Sequence, residues 1–330
     1  MLKLSDFDYH LPAELIAQYP LKERAEAKLL VLNRKPGTIE HRTFKDIPEY
    51  IRKNDLLVLN DTRVLACRLK GKRRTGGKVE LLLLRQKEGL VFDCLVRPAR
   101  IRLGERLYFN NNKLSCELTA KNEVRFDAQN INEVYKSGQV PLPPYIKRDP
   151  EDLDSVYYQT VYAKNNGSIA SPTAGLHFSE ELLNKIRLGG VNTAYITLHI
   201  SYSTFKPVKS EYITEHKMEK ESFQISPEAV KAINHIRSQG GQIFAVGTTS
   251  CRALESFAAN KTDGETDLFI YPGFKFNLVD CLLTNFHLPR TTLFMLTCAF
   301  AGLDMVKKAY QEAVDRKYRF YSYGDAMLIL

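Results

Sequence analysis

The chain has 330 residues, of which 44% are hydrophobic and 26% are charged, and its formal net charge is +9. This composition is typical of a globular protein with a large core, and it excludes a disordered or collagen-like chain. Because no apolar run has the length of a membrane span, no apolar signal segment is present and the six cysteines are scattered, we expect a cytoplasmic protein of two domains without a metal site.

The first part of the chain predicts short helices and two strands. A short helix is expected within residues 5–20, a strand over residues 27–33 and a second short helix over residues 44–51. The apolar run at residues 55–60 predicts a buried strand that ends in the polar cluster Asn60, Asp61, Thr62 and Arg63. Polar groups at the end of a buried strand are typical of functional sites in α/β proteins.

A second region predicts strands alone. Turn residues separate the strand-like segments 64–70, 78–84, 90–96, 106–109, 113–119 and 123–127. Short strands without intervening helices favour a small antiparallel barrel or sandwich. The prolines within residues 141–144 predict a stiff linker back to the first domain. We therefore expect an inserted β-barrel domain over residues 63–144, and an α/β domain over residues 1–62 and 145–330.

The positive charge is concentrated on this predicted barrel. Residues 63–113 contain 14 Lys or Arg and four Asp or Glu, an excess of ten positive charges, so the rest of the chain is nearly neutral. Such a local excess favours binding to the phosphate backbone of a nucleic acid. The alternative is a solvated basic face that only maintains solubility.

Helix signals return after residue 157. Ser179 predicts the start of a helix over residues 180–188, and Ser226 with Pro227 predicts a helix that ends near Gly240. Strand–loop–helix units are expected around residues 169–188, 243–257 and 278–301. This alternation predicts a mostly parallel α/β main domain, into which the small antiparallel β-barrel is inserted.

Gly247 and the three hydroxyl residues after it form the first candidate binding segment. Thr248, Thr249 and Ser250 follow this glycine at a predicted helix start, where free backbone N–H groups favour a carboxylate or phosphate. The alternative is simple capping of the helix, which needs one hydroxyl.

Three further strand-end loops carry imidazole groups. One contains Asn285 and His287, the second contains His177 beside Phe178, and the third contains His199. A lone histidine beside an aromatic residue is also common in a packed core, so both interpretations of His177 stay open. Dinucleotide-binding, zinc-protease and serine-hydrolase motifs are absent from the sequence, and residues 71–78 resemble a phosphate-binding loop only with incorrect spacing.

Eight longer segments carry a resemblance to a known family. They are LNDTRV (59–64), GGKVELLLL (76–84), PLPPYI (141–146), SPTAGLHF (171–178), VGTTSCRALES (246–256), IYPGFKF (270–276), TNFHLPRTTL (284–293) and YRFYSYGDAM (318–327). Together they resemble the S-adenosylmethionine:tRNA ribosyltransferase-isomerases of queuosine biosynthesis. Two positions depart from the family pattern: Tyr202 stands in a segment that is usually glycine-rich, and Glu219 stands where a second histidine is frequent.

The resemblance implies an α/β domain with an inserted barrel, and it implies a reaction. The ribosyl part of S-adenosylmethionine is transferred to 7-aminomethyl-7-deazaguanine at the wobble position of tRNA and isomerised. The product is epoxyqueuosine, and adenine and methionine are released. S-adenosylmethionine is then a co-substrate rather than a permanently bound cofactor. The partner is the anticodon arm of tRNA, and no protein partner or membrane is implied.

The strand-end loops are then expected to form one pocket, with His287, His177 and His199 as catalytic acid or base groups. The expected substrate-binding residues are Thr173, Gly175, Phe178, Thr204, Phe205, Gly247, Thr248, Thr249, Ser250, Arg252, Asn285, Thr291 and Thr292. The expected tRNA-binding residues are Asn60, Arg63, Arg68, Arg73, Arg74, Lys78 and Arg97.

Other functions stay open at this stage. An S-adenosylmethionine-dependent RNA methyltransferase would release S-adenosylhomocysteine instead of adenine and methionine. A non-catalytic RNA-binding protein would release no small product, and phosphoribosyl chemistry would need a pyrophosphate leaving group. The small products of the reaction distinguish all of these.

Overall fold

The computed structural model describes residues 2–205, 207–259 and 263–330, and for residues 203 and 205 it describes the backbone alone. Its strands are β1 (Lys28–Asn33), β2 (Thr38–Thr43), β3 (Leu56–Asn60), β4 (Thr62–Val64), β5 (Arg68–Arg73), β6 (Lys78–Gln86), β7 (Val91–Arg97), β8 (Arg106–Phe109), β9 (Leu114–Ala120), β10 (Glu123–Asp127), β11 (Asn165–Ser168), β12 (Asn192–Leu198), β13 (Glu221–Ile225), β14 (Ile243–Val246), β15 (Asp263–Thr266), β16 (Cys281–Asn285) and β17 (Ala326–Ile329).

The α-helices are α1 (Ile131–Lys136), α2 (Asp152–Tyr157), α3 (Glu180–Leu188), α4 (Pro227–Ser238), α5 (Gly247–Ala258), α6 (Thr292–Ala301) and α7 (Leu303–Asp315). Within the described ranges, no helix combines the length and the apolar character needed to cross a membrane. All six cysteines are buried and unpaired, as expected for core thiols.

Nine strands form the main sheet, in the order β15, β13, β12, β3, β14, β16, β17, β1 and β2. The four central strands β12, β3, β14 and β16 are parallel to one another. The predicted α/β class is confirmed, but the sheet is mixed because β13, β15, β17 and β2 each run antiparallel to a neighbour. β17 runs antiparallel to β16 because two helices, α6 and α7, connect the two strands. The first helix leads away from the sheet edge and the second leads back, so β17 begins at the edge where β16 ends.

Local sequence signals explain several boundaries. Ser179 Oγ accepts a hydrogen bond from Leu182 N at 3.1 Å at the start of α3, and Ser226 with Pro227 begins α4, both as predicted. The predicted helix over residues 44–51 is a 3-10 helix (Phe44–Tyr50) that contains Pro48, which cannot donate a helical hydrogen bond. The helix start predicted after Gly247 is found there, since α5 begins at Gly247 and its first turn contains Thr248, Thr249 and Ser250.

The antiparallel barrel is confirmed as a closed structure in the order β10, β7, β6, β5, β8 and β9. Its interior is filled by alternate side chains, among them Leu69, Leu81, Phe92, Leu107 and Val124. These strands lie in the chain between β3 and β12, which are neighbours in the main sheet. The strand predicted near residue 169 does not join that sheet, because β11 pairs with β4 in a separate two-stranded sheet.

The central strands place their carboxyl ends at one edge of the main sheet. These ends are Asn60 on β3, Leu198 on β12, Val246 on β14 and Asn285 on β16. In open sheets of this kind the crevice outside the carboxyl ends of parallel strands is the usual ligand site. The loops that begin there therefore define the candidate site.

Candidate active site

A pocket lies at this edge of the sheet. Eight residues that the sequence predicted line it: Thr173, Thr204, Gly247, Thr248, Thr249, Arg252, Asn285 and His287. Seven polar or aromatic residues outside the expected catalytic and substrate-binding sets also line it: Tyr145, Tyr158, Ser171, Glu221, Thr284, Tyr321 and Ser322. Among the described residues, no group of three or more His, Cys, Asp or Glu side chains is placed to hold a metal ion.

His287 is fixed on three sides. Its Nε2 lies 2.7 Å from Thr284 Oγ1, its backbone N–H donates to Tyr310 Oη at 3.1 Å, and its carbonyl accepts from the hydroxyl of Tyr9. No partner of Nδ1 is found in the part of the chain that the structure describes. Burial lowers the pKa of His287 to about 3, so the imidazole is neutral near pH 7.

Arg252 and Glu221 form an ion pair next to the pocket, and both side chains are almost completely buried. Glu221 Oε1 also accepts from Ser201 N at 2.9 Å and from Thr204 Oγ1 at 3.1 Å. Arg252 Nε donates to Leu268 O at 3.1 Å. The pair therefore connects β13, α5 and the segment after β12, and it places a guanidinium at the pocket wall.

Four buried polar atoms of pocket residues have no hydrogen-bond partner among the residues described. They are Arg252 Nη2, Ser171 Oγ, Asn285 Oδ1 and Tyr158 Oη. Buried polar groups are nearly always paired in folded proteins, because an unpaired group costs about 1–3 kcal/mol. A cationic donor, two hydroxyls and an amide acceptor without partners around one pocket indicate a polar ligand.

The start of α5 supplies further donors to this pocket. Gly247 has a φ of +88°, which explains why glycine occupies the turn between β14 and α5. The first backbone N–H groups of a helix have no partner within it, and the helix dipole is positive at this end. Ser250 lies in the same turn but is fully buried, and its hydroxyl donates to Val246 O at 2.7 Å, which removes it from the expected ligand contacts.

His177 does not line this pocket. It lies behind the pocket wall, where its Nε2 is 3.3 Å from Asn285 Nδ2 and its ring packs on Phe44 with centroids 4.9 Å apart. Burial, and then the charges of Arg319 and Arg24, lower its pKa to about 3. Of the two imidazoles, only His287 lines the pocket, and His177 is connected to it through Asn285.

Four other expected contacts belong to packing or to a helix start. Phe178 has no exposed surface and meets Phe44 edge-on, so it cannot stack on a base. A Cβ on Gly175 would lie 2.1 Å from Tyr162 Oη, so this glycine is required by packing. Thr291 caps α6, because its hydroxyl accepts from Phe294 N, and Thr292 is the first residue of that helix.

His199 is also outside the pocket. Its Nδ1 is 2.7 Å from Thr62 Oγ1, and burial lowers its pKa. A Cβ on Gly167 would lie within 2.8 Å of three atoms of the His199 ring, so the glycine allows close packing. The side chain of Phe205, another expected ligand contact, lies outside what the structure describes.

The expected RNA contacts divide into three groups. Arg63, Arg74, Lys78 and Arg97 are exposed. Arg73 donates to both carboxylate oxygens of Glu105 at 2.7 Å, and Arg68 pairs with Glu80 at 3.3 Å, so part of their charge is neutralised.

Asn60 must be removed from the RNA-contacting set, because it has no exposed surface. Its amide group bridges β3 to β12 by accepting from Leu198 N and donating to Leu198 O, both at 3.0 Å. It also accepts from Thr62 N and donates to Thr249 Oγ1. All its hydrogen bonds are made inside the protein, so it organises the strand ends.

A family model described as "Queuosine biosynthesis protein" matches residues 4–329 of the chain. The chain belongs to this family. Similar curated proteins are the S-adenosylmethionine:tRNA ribosyltransferase-isomerases of Sulfurihydrogenibium sp. (strain YO3AOP1), 49% identical over 336 residues, and Aquifex aeolicus (strain VF5), 47% identical over 334 residues. In both cases the match covers 100% of this chain and 100% of the relative.

A solved structure agrees with this membership. The chain is similar to the crystal structure of an S-adenosylmethionine tRNA ribosyltransferase from Thermotoga maritima, with a TM-score of 0.58 and 39% sequence identity over 98% of this chain and 100% of that one. The resemblance seen in the sequence segments is confirmed. Membership of an enzyme family is confirmed by the names of the relatives, while the roles of individual side chains in this chain follow from its own geometry.

Proposed function

We propose that this protein transfers and isomerises the ribosyl part of S-adenosylmethionine onto 7-aminomethyl-7-deazaguanine at the wobble position of tRNA. The product is epoxyqueuosine, with release of adenine and methionine. Family membership over residues 4–329 supports the reaction class. The observation that carries the proposal in this chain is the pocket with four unpartnered buried polar atoms at the carboxyl ends of parallel strands.

The methionine carboxylate is assigned to Arg252 Nη2 and to the backbone N–H groups of Gly247, Thr248 and Thr249. A guanidinium and a helix N-terminus are both favourable to an anion, and both line this pocket. Asn285 Oδ1 and Ser171 Oγ then remain for the ribose hydroxyls or the adenine amino group. Each assignment gives a buried polar atom the partner that it lacks in the free protein.

His287 is the group that we place next to the reacting ribose. The carbon beside the sulfonium must lose a proton before the new carbon–nitrogen bond forms, and adenine needs a hydrogen bond or a proton to leave. A neutral imidazole accepts a proton or a hydrogen bond, whereas its low pKa opposes an acid role as a cation in the free protein. Since His177 and His199 do not line the pocket and contact Asn285 and Thr62, we assign them to orienting these two residues.

The barrel is proposed to hold the anticodon arm of tRNA. The exposed Arg74, Lys78 and Arg97 of the barrel, and Arg63 on β4, supply charge for phosphate contacts. On this basis we propose residues 63–144 as a tRNA-facing domain inserted into a catalytic domain of residues 1–62 and 145–330. A cytoplasmic location follows from the proposed substrate.

One assay tests this function. The protein is incubated with S-adenosylmethionine and tRNA that carries the precursor base, and the small products are identified by mass spectrometry. We expect adenine and methionine in equal amounts, together with epoxyqueuosine in the tRNA. S-adenosylhomocysteine would indicate a methyltransferase, and the absence of any product that depends on tRNA would indicate a non-catalytic RNA-binding protein; either result would overturn the proposal.

A further inference from the structure

A groove crosses the outer face of the barrel. In the antiparallel register, Lys72 on β5 lies between Tyr108 on β8 and Lys78 on β6. Residues directly opposite each other on paired strands point to the same side of a sheet, so these three side chains form one row. All three line the groove. An aromatic ring beside two lysines is the combination that proteins use for single-stranded nucleic acid.

A second row of side chains lies two residues farther along the same strands than the first row. Register places Lys70 opposite Glu80, and Glu80 opposite Arg97. Lys70 pairs with Asp149 at 2.6 Å, and Glu80 pairs with Arg68 at 3.3 Å. Arg97 has no acidic partner in the described ranges of the chain, and the same holds for Lys72 and Lys78 of the first row. Three adjacent cations of the groove are therefore available to an external anion.

Arg97 and Glu80 also line a second cavity, a crevice between the barrel and the segments that lead to the active-site pocket. Apart from Arg68, Glu80 and Arg97, the residues that line this crevice have apolar or aromatic side chains. They include Leu82, Leu95, Pro143, Ile146, Ile169 and Tyr202. Arg97 thus lies where the cations of the groove meet a crevice that contains the ring of Tyr202.

The crevice and the active-site pocket share their walls. Ile169 lines the crevice, and the next residue, Ala170, lines the pocket. In the same way Ile146 lines the crevice and its neighbour Tyr145 lines the pocket. Tyr202 lines the crevice, two residues before Thr204 in the pocket. The order of features is therefore cationic groove, crevice and reaction site, each adjoining the next.

We infer that the groove and the crevice together hold one RNA strand of the anticodon loop, with its phosphates on Lys72, Lys78 and Arg97 and one unpaired base in the crevice against Tyr202. This inference rests on the proposed function and adds to it a path for the RNA. Sequence-specific proteins recognise single-stranded RNA by stacking splayed bases on aromatic side chains. An acidic peptide would use the three cations but would gain little from an aromatic crevice.

The first test measures phosphate contacts. Binding of an anticodon stem–loop RNA is measured as a function of salt for Lys72→Ala, Lys78→Ala and Arg97→Ala. Each lost contact should weaken binding and lower the slope of log K against log salt by about 0.7. Lys121→Ala is the matched control, because this exposed lysine precedes β10, the barrel strand farthest from β5. If all four variants bind with the wild-type slope, the groove is not the RNA path.

The second test measures stacking at Tyr202. Tyr202→Leu should raise the KM for tRNA by at least about fivefold, while Tyr202→Phe, which retains the ring, should remain near wild type. Binding of S-adenosylmethionine alone, measured by calorimetry, should be the same in all three proteins and shows that the pocket is folded. Equal KM values for the leucine and phenylalanine variants would contradict the crevice assignment.

The two proposals fail in different ways. If the wild-type protein releases no adenine, the proposed function fails, and the salt-dependence experiment still decides whether RNA occupies the groove. If the wild-type protein is active and the groove and crevice variants match it, only the RNA path is overturned. An acidic peptide that binds the groove without changing the affinity for RNA would likewise show that the groove serves another partner.

Discussion

Arg252 and Glu221 form an ion pair in which the side chains are 5% and 1% exposed, and the second guanidinium nitrogen of Arg252 has no partner among the described residues. The carboxylate holds the guanidinium in place, and the remaining N–H groups are available to a ligand. A buried cation that is neutralised on one side and unpaired on the other is a preorganised site for an anion. The ion pair therefore contributes to the folded structure and also positions the guanidinium for an anionic ligand.

Arg252→Lys tests this arrangement. Lysine keeps the positive charge next to Glu221 but lacks the second donor nitrogen, so we expect weaker binding of S-adenosylmethionine by roughly tenfold or more, which corresponds to one charged hydrogen bond of about 1.5–3 kcal/mol. Calorimetry measures this affinity. The matched control is Arg148→Lys, which changes another largely buried pair, with Asp154, outside the pocket lining. Equal losses in both variants would argue against direct contact by Arg252.

His287→Ala should abolish the release of adenine, because the variant lacks the imidazole that faces the pocket. The affinity for tRNA should remain near that of the wild type, since His287 lies away from the barrel cations. Adenine is measured by chromatography and tRNA affinity by filter binding. Wild-type turnover in this variant would rule out a catalytic role, whatever the affinity.

Thr284 is expected to act through His287. Its hydroxyl lies 2.7 Å from His287 Nε2 and holds the ring in one orientation. Thr284→Val preserves the shape but removes this hydrogen bond, so kcat should fall by about tenfold, with little change in the KM for tRNA. Thr284→Ser retains the hydroxyl and should restore kcat. A serine variant as slow as the valine variant would show that packing, and not the hydrogen bond, matters.

The stability of the protein should depend on the buried imidazoles. Burial lowers the pKa of His177 and His287 from the ordinary value of 6.5 to about 3. Between these two pH values the unfolded chain binds more protons than the folded one, so the free energy of unfolding should decrease as the pH falls from 6.5 towards 3.

Urea denaturation at a series of pH values measures this effect. His177→Gln and His287→Asn should each flatten the curve between pH 6.5 and 3, because the substituted amide does not titrate. Replacement of the exposed His10 serves as the control. A wild-type pH dependence in both variants would show that other groups dominate acid unfolding.

Asn60→Ala should affect stability rather than RNA binding. The substitution leaves Leu198 N and Thr62 N without their acceptor inside the protein, at a cost of at least about 2 kcal/mol. Lys78→Ala should do the reverse, with unchanged stability and a weaker salt dependence of tRNA binding. Urea denaturation and salt titration on the same two variants check both statements. A lower salt slope in the Asn60 variant would return this residue to the RNA interface.

Much of the fold follows from local signals in the sequence. The alternating segments of the barrel were predictable because one face of each strand fills the barrel interior, and the starts of α3 and α4 were predictable from their capping residues. The antiparallel position of β17 was not, because it depends on α6 and α7 running as a pair.

The candidate site was only partly predictable, because burial decides which loop residues face the ligand. Phe178 and Ser250 look like ligand contacts in the sequence and are packed away in the structure. Glu221 was missed, although it left a signal: it occupies the same buried face of β13 as Phe223 and Ile225, where a carboxylate needs a partner. Tyr321 and Ser322 reach the pocket through tertiary contacts that no local pattern encodes.

Among the described residues, β17 is the only strand that joins the hairpin β1–β2 to the central strands of the main sheet. It pairs with β1 on one side and with β16 on the other. The backbone N–H of Lys28 donates to Asp325 Oδ1, across 297 positions of the chain. Contacts at such separation form late in folding. On the ribosome, the apolar residues 29–32 can therefore pair only with β2 until β17 has been synthesised, and the other edge of β1 stays open during most of translation. A chaperone is expected to shield this edge.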